Sequence, residues 1–401
     1  MRALLLTLTV SSLLVSSSAA AEDRTLLYVN PAPLVTASRL VALGGAAVGL
    51  AENSESLPFN YAAAAHRHPR RSGNFDFDLT TSVLFSPFPA LRDTDNEGLL
   101  KPNVVAPFEA LIGGLIQFNR FGIGAYGRLS TKQVCSPTCL SASADTIALV
   151  FGFNAVRDQL VFGFGLNIAH ANFKTDAATY EYRGWSLGGG LLWRPNFYPF
   201  RIGLHLVSQA LGTPLFDLTM VPNLGSGHTP FSGVISPAHL SVGASARFGA
   251  GSWRFNRLSP SALKQLPDDF NYANVPHDLD PDDPRPPGRI LVTVALDVVF
   301  PVHGATTLTP FLNGTPAVPA GETLALVPRG GVEVEPIDHR LRLRVGSYLE
   351  PPFLQGASIR PHGTFGTELF LFQLLAAWSV SASMDVANQF LSMSFGIGWW
   401  T

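Results

Sequence analysis

The residues whose types could do chemistry are scattered, and each set reads differently. Ten His and many Ser invite a search for a Ser-His-acid hydrolase, but their spacing suggests no such set. His170 carries the outward parity of its strand and reads as polar filler near a rim. Asp278, Asp280, Asp282 and Asp283 alternate with Leu279 and Pro281 but lack the Gly and distal Glu of a calcium loop, so a solvated acidic loop is expected. Cys135 and Cys139 are neither a redox C-x-x-C nor half of a tetrahedral zinc site, because no second pair exists. A small disulfide loop and two free thiols both fit them. His66-Arg67-His68-Pro69-Arg70-Arg71 reads as a solvated linker, with contact to anionic headgroups as the other reading. No catalytic residue, metal or cofactor is expected.

The most structured set is a charge ladder. Glu333 and Glu335 alternate with Val332 and Val334, and Arg340, Arg342 and Arg344 with Leu341, Leu343 and Val345. With Pro336 to His339 as the turn, Glu335 faces Arg340 and Glu333 faces Arg342. Arg344 then faces Gly331 and is free for a carboxylate such as Glu52 or for a ligand headgroup. This arrangement needs one polar face and one apolar face on a single hairpin, which sends the reading back to the elements that hold it.

Those elements are strands. Ile147, Leu149, Phe151 and Phe153 alternate with small or polar residues, and Leu160, Phe162, Phe164, Leu166 and Ile168 do the same after Arg157-Asp158. A turn at Arg157-Asp158 sets Phe153 opposite Phe162 and Phe151 opposite Phe164. Turns at Asn119-Arg120 and between Trp193 and Phe200 set Ile116 opposite Ile123 and Leu191 opposite Ile202. The other face carries Gly122, Gly124, Tyr126 and Arg128, or Arg201, Gly203, His205 and Gln209. Fourteen such runs are expected, near 75–88, 104–118, 121–131, 146–156, 159–173, 180–194, 199–211, 237–249, 289–302, 322–335, 340–350, 364–373, 376–386 and 390–400.

Composition agrees. Only 14% of the 401 residues are charged, against roughly 25% in soluble proteins. The formal net charge of −2 lacks the basic excess of a nucleic-acid binder. Apolar residues spread one position in two describe an all-β transmembrane barrel rather than a helical membrane protein. Residues 1–21, with Arg2, an apolar core Ala3 to Val15 and Ala19-Ala20-Ala21, read as a secretory signal peptide. Residues 22–74 then form an N-terminal segment and 75–401 the barrel, with 250–288 a long polar loop. Short turns and both barrel ends fall on the periplasmic side. Segments 89–103, 131–145, 212–236, 303–321 and 351–363 fall outside, and 250–288 is an exceptional periplasmic loop.

The N-terminal segment contains Ser38-Arg39-Leu40-Val41-Ala42-Leu43-Gly44-Gly45-Ala46-Ala47-Val48-Gly49-Leu50-Ala51-Glu52-Asn53, then Leu57-Pro58-Phe59-Asn60-Tyr61-Ala62-Ala63. It resembles the hatch of the long-chain fatty-acid and hydrocarbon outer-membrane transporters (FadL/TodX type), through Gly44, Gly45, Ala46, Asn60 and Ala62. Tyr61 stands where that family has Pro. The resemblance implies a fourteen-stranded barrel plugged by residues 22–74; a loose periplasmic extension is the alternative. It also implies passage of hydrophobic small molecules, long-chain fatty acids or similar lipophiles, with a lateral exit at a kinked third strand. Gly122, Gly124 and Gly127, beside Tyr126 and Arg128, mark residues 121–131 for that kink, or else make room for Tyr126 or the hatch. The expected partners are a hydrophobic ligand and outer-membrane lipid, with no nucleic acid, and the expected state is a monomer. A barrel acting as scaffold or shuttle for exported proteins is the competing function.

Overall fold

The computed structural model describes residues 26–29, 36–66, 75–88, 93, 96, 104–135, 139–156, 159–174, 179–195, 198–215, 231–249, 252–256, 289–306, 318–337, 340–354, 357–374 and 376–400. The period-two runs form a closed antiparallel barrel of fourteen strands. These are β1 (Phe75–Phe85), β2 (Val104–Phe118), β3 (Phe121–Cys135), β4 (Cys139–Ala155) and β5 (Leu160–Lys174). They continue with β6 (Thr179–Trp193), β7 (Phe200–Val207), β8 (His239–Phe248), β9 (Arg289–Val299) and β10 (Ala325–Ile337). The last four are β11 (Leu341–Glu350), β12 (Arg360–Leu374), β13 (Ala376–Ala387) and β14 (Phe390–Trp400). Closure comes from β14 on β1, running from Met393↔Phe85 to Trp400↔Asp78. A closed wall leaves no unpaired edge in hydrocarbon.

One face of the strands is mostly large and apolar, and it points out. Ile147, Phe164 and Trp185 are 62%, 57% and 65% exposed, an arrangement that is stable only when lipid covers it. The opposite positions hold Gly, Ser and charged residues and face the lumen. The β4–β5 and β2–β3 hairpins take the register that alternation requires, with Phe153↔Phe162, Phe151↔Phe164 and Ile116↔Ile123.

Two hairpins depart from it. Leu191 lies opposite Leu204, not Ile202, because β6 ends at Trp193↔Ile202 while Phe200 and Arg201 pair only with β8. Such stagger is the shear a closed barrel needs. Glu333 faces Arg344, not Arg342, and Val334 faces Leu343, because the ladder shifts between Val334 and Ile337. Pro336 sits in that stretch and has no N–H to donate, so the strand bulges there. Both slips are of two residues, which keeps each side chain on its expected face.

The segment 131–145 is not a loop. β3 and β4 pair through it to Cys135↔Cys139, leaving 136–138 as the connection. The side chains of both cysteines lie outside the described ones, and with them the disulfide. Another bulge falls in β7. From Gly188↔Val207 to Arg183↔Thr213 the wall advances five residues on β6 but six on the β7 side, which continues as Ala210–Pro214. The extra residue turns Gln209 outward, although alternation placed it in the lumen. At the same level Pro237 and Ala238 interrupt the partner strand, between Gly233–Ser236 and β8.

A plugged lumen and its outer cavity

Residues 36–66 lie inside the barrel, all buried except the half-buried Glu52, Asn53, Pro58 and Phe59. The segment opens with a short helix, Ser38–Ala42, closed by Gly44 and Gly45 at φ +63° and +73°. Gly45 N–H donates to the Leu40 carbonyl (2.9 Å) and Gly44 N–H to that of Val41 (2.9 Å). This is a Schellman turn, whose left-handed residues favour Gly. A Cβ on Gly44 would also come within 2.6 Å of the Ser347 carbonyl on β11. Ala46 is fully buried with Val48 and Ala295.

Asn60 caps a 3-10 turn, Tyr61–Ala65, by accepting from Ala62 N–H (3.0 Å), and its Nδ2 donates to the carbonyls of Val48 (2.8 Å) and Leu191 (3.1 Å). Tyr61 donates to Asn167 Oδ1 at 2.6 Å. The wall is cut to receive this backbone. A methyl on Gly122 would overlap the Ala64 carbonyl, one on Gly163 the Tyr61 backbone, and one on Gly203 the Val48 carbonyl. Gly124 packs on Leu57, and Gly127 has open space beside it. The ladders on both sides of β3 run unbroken from Phe121 to Thr131.

Charges gather where the hatch meets the wall. Arg39 contacts Glu52 (3.1 Å), Glu55 (2.7 Å) and Glu333 (3.3 Å), and Glu52 also holds Arg201 (2.7 Å). Arg344 is buried and paired with Glu333 (2.6 Å) and with Glu368. It therefore contacts neither Glu52 nor open lumen. Arg342 lies 3.8 Å from Glu335 and 4.0 Å from Glu333, while Arg340 is exposed at the turn. Burial pushes the Glu55 carboxyl up to about 7, against the pull of Arg39. Burial also holds His66 well below the usual imidazole range, with its Nδ1 2.7 Å from the Ala51 carbonyl.

Sequence reasoning missed two parts of the plug and one motif of the wall. Phe255, in the 3-10 turn Ser252–Phe255, packs with Leu40, Leu43 and Leu50. Arg201 stacks on it at 3.6 Å, and Asn256 anchors the turn to the carbonyls of Tyr198 (2.8 Å) and Phe200 (2.7 Å). These residues lie in the stretch read as a loose polar loop, and an isolated Phe there carries no periodicity. The second part is Leu26–Tyr28, which pairs in parallel with Gly233–Ser236 and Ala305–Thr306. Third, Gly184-Trp185-Ser186-Leu187-Gly188 fits the G-x-S-x-G of a nucleophile elbow. It sits within β6 rather than at a strand-to-helix turn, and Ser186 accepts from Asn167 Nδ2 at 3.1 Å rather than meeting a His.

Between the hatch and the outer strands lies a cavity of about 320 Å³. It is lined by Pro58 and Tyr61 of the hatch, by Phe173, Val207 and Val299 of the wall, and by Leu27 and Phe353. Asp145 and His170 border it, but their strand parity turns the side chains outward, where Nδ1 and Oδ2 are 3.7 Å apart.

Fold and plug together define a closed fourteen-stranded β-barrel with a peptide-filled lumen, the fold of the FadL/TodX channels. No protein-family model and no curated protein matches the chain. Among solved structures it is similar to a FadL homologue of Pseudomonas aeruginosa, with TM-score 0.51 at 10% identity over 92% of this chain and 97% of that one. A TodX mutant described as a monoaromatic hydrocarbon channel gives TM-score 0.50 at 10% identity, over 91% and 98%. The P. putida toluene transporter TodX gives 0.48 at 10%, over 92% and 98%. At this identity the likeness concerns the fold alone.

Proposed function

We propose that the barrel admits small hydrophobic molecules across the outer membrane, taking them from outside into the cavity above the hatch. The cavity carries this reading. An engineered cavity of about 150 Å³ lined by apolar side chains binds benzene, and about 320 Å³ here suits one or two rings or a chain of similar bulk. A lipophile gains about 25 cal/mol for each Å² it removes from water, so an apolar chamber collects what a hydrated pore would leave behind. The hatch of residues 36–66 blocks the straight path, which favours a sideways step into the membrane. Gly122 and Gly124 of β3 are occupied by the hatch. The bulge at Ser208-Gln209, beside Pro237 and Ala238, adjoins Val207, Ala210 and Pro237 of the cavity wall. We place the exit there.

The test is uptake of radiolabelled 4-butyltoluene by proteoliposomes carrying the protein. Entry faster than into protein-free vesicles is expected, and a disulfide engineered across Gln209 and Ala238 should slow it. Uptake equal to the protein-free control would overturn the reading.

A further inference from the structure

Most polar side chains beside the hatch satisfy one another. Tyr61 and Tyr126 both donate to Asn167 Oδ1, at 2.6 and 3.4 Å, and Asn167 Nδ2 donates to Ser186 at 3.1 Å. Glu109 accepts from Ser130 at 3.1 Å and acts on Arg128 through its charge. His205, on β7, takes no part in this. It is 1% exposed, and neither Nδ1 nor Nε2 has a hydrogen-bond partner among the described residues. Its neighbours are rings. Tyr61 of the hatch lies edge-on at 4.6 Å, and His239 of β8 lies at 5.8 Å with an interplanar angle of 67°. The Tyr61 hydroxyl is already committed to Asn167.

A neutral imidazole carries a proton on one nitrogen and a lone pair on the other. Burying both unpaired is costly, and such an orphaned group calls for a water or an ion beside it. The second imidazole favours an ion. On the β7–β8 ladder Ser241 faces His205 and His239 faces Val207, so the two His lie diagonally on the inner side of adjacent strands. One nitrogen of His239 is held by the Pro237 backbone carbonyl. Metal-binding imidazoles commonly have such support, because it fixes which nitrogen keeps its lone pair. Metal–nitrogen bonds run about 2.0–2.1 Å, and the ring centre lies roughly 1.1 Å beyond the nitrogen. Two imidazoles on one ion therefore have centres about 5.1 Å apart at a tetrahedral angle and about 6.3 Å apart when opposed. The observed 5.8 Å lies between those limits. His239 also lines the cavity, which gives an ion its way in. Asp297, across Ser241 on β9, adds negative charge but is tied to Arg329 at 2.5 Å. No group of three His, Cys, Asp or Glu side chains converges among the described residues, so water completes the coordination.

We infer that His205 and His239 bind one late first-row divalent metal ion, Cu²⁺ most tightly, which ties β7 to β8 beside the bulge at Ser208-Gln209. Imidazole suits Cu and Zn, and affinity for a given site peaks at Cu²⁺. The probe is Cu²⁺ alone, added to the untagged full-length protein in nanodiscs after dialysis against chelator. Electron paramagnetic resonance should show one saturable Cu²⁺ per chain, with two imidazole nitrogens in its spectrum. His205→Gln and His239→Gln should each weaken binding at least about 10-fold and leave one imidazole on the ion. His170→Gln should change neither reading, and heat-shift gels check that every variant still folds. In the native protein, no saturable site or a spectrum with fewer than two imidazoles needs no variant to interpret and would overturn the inference. So would Cu²⁺ binding that both substitutions leave unchanged, since the ion would then sit on others of the ten His.

Discussion

Glu55 is the weak point of the hatch, and Glu55→Gln isolates it. The carboxyl is buried, faces the cations Arg39 and Arg344, and shares the site with the like charge of Glu368. Its pKa rises from the ordinary 4.5 to about 7, so the docked hatch binds a proton more tightly than the released one. The stabilisation from that proton is fully present below about 4.5 and is lost as pH rises through about 7. At 1.36 kcal/mol per unit, docking becomes less favourable by at most about 3 kcal/mol between pH 4.5 and 8. Gln keeps an acceptor for the Arg39 Nη1 contact and carries no charge, while Glu52 and Glu333 continue to hold Arg39. Glu55→Gln should therefore protect residues 38–66 better than the native protein at pH 8, and equally at pH 5. Hydrogen exchange on the reconstituted protein, corrected for intrinsic rates, reads this directly. Lower protection in Glu55→Gln at pH 8 would mean that the ion pair with Arg39 outweighs desolvation, and the reasoning fails.

Gly203→Val would drive a side chain into the Val48 carbonyl, so ion leak through reconstituted barrels should rise, at an overpacking cost of about 1–3 kcal/mol. Phe255→Ala should also raise leak and expose the hatch to added protease, since a buried Phe truncation costs about 3–5 kcal/mol; unchanged leak would show that the turn Ser252–Phe255 is dispensable. Arg344→Met leaves Glu333 and Glu368 short of a buried partner, with a loss of about 3–5 kcal/mol, read as a lower unfolding temperature in heat-shift gels. Phe164→Arg places a charge on the lipid face, and urea unfolding in vesicles should show a loss of about 2–4 kcal/mol.

The wall was legible because its period-two alternation repeats along most of the chain, and a wrong period would expose every side chain to the wrong solvent. Register was legible only where a turn was symmetric. Pro336 and the stagger at Trp193↔Ile202 each moved the pairing by two residues, a change alternation cannot detect because it preserves the faces. Arg344 shows the consequence: its correct face was readable, its partners Glu333 and Glu368 were not.

The inner glycines carry a different kind of information. Alternation alone makes Gly122, Gly163 and Gly203 look like weak points of a strand, each costing entropy with nothing to pack. Their positions make sense only together, as the negative image of one backbone path through Val48, Tyr61 and Ala64. A lumen built for water would gain nothing from removing side chains at those places, whereas a lumen that holds a peptide needs the space there. Gly127, which has open space beside it, has the outward parity of β3, so its missing side chain leaves room on the outer face and not in the lumen. The inner glycines of the wall thus specify one occupant by shape, the peptide that fills the places where side chains are missing.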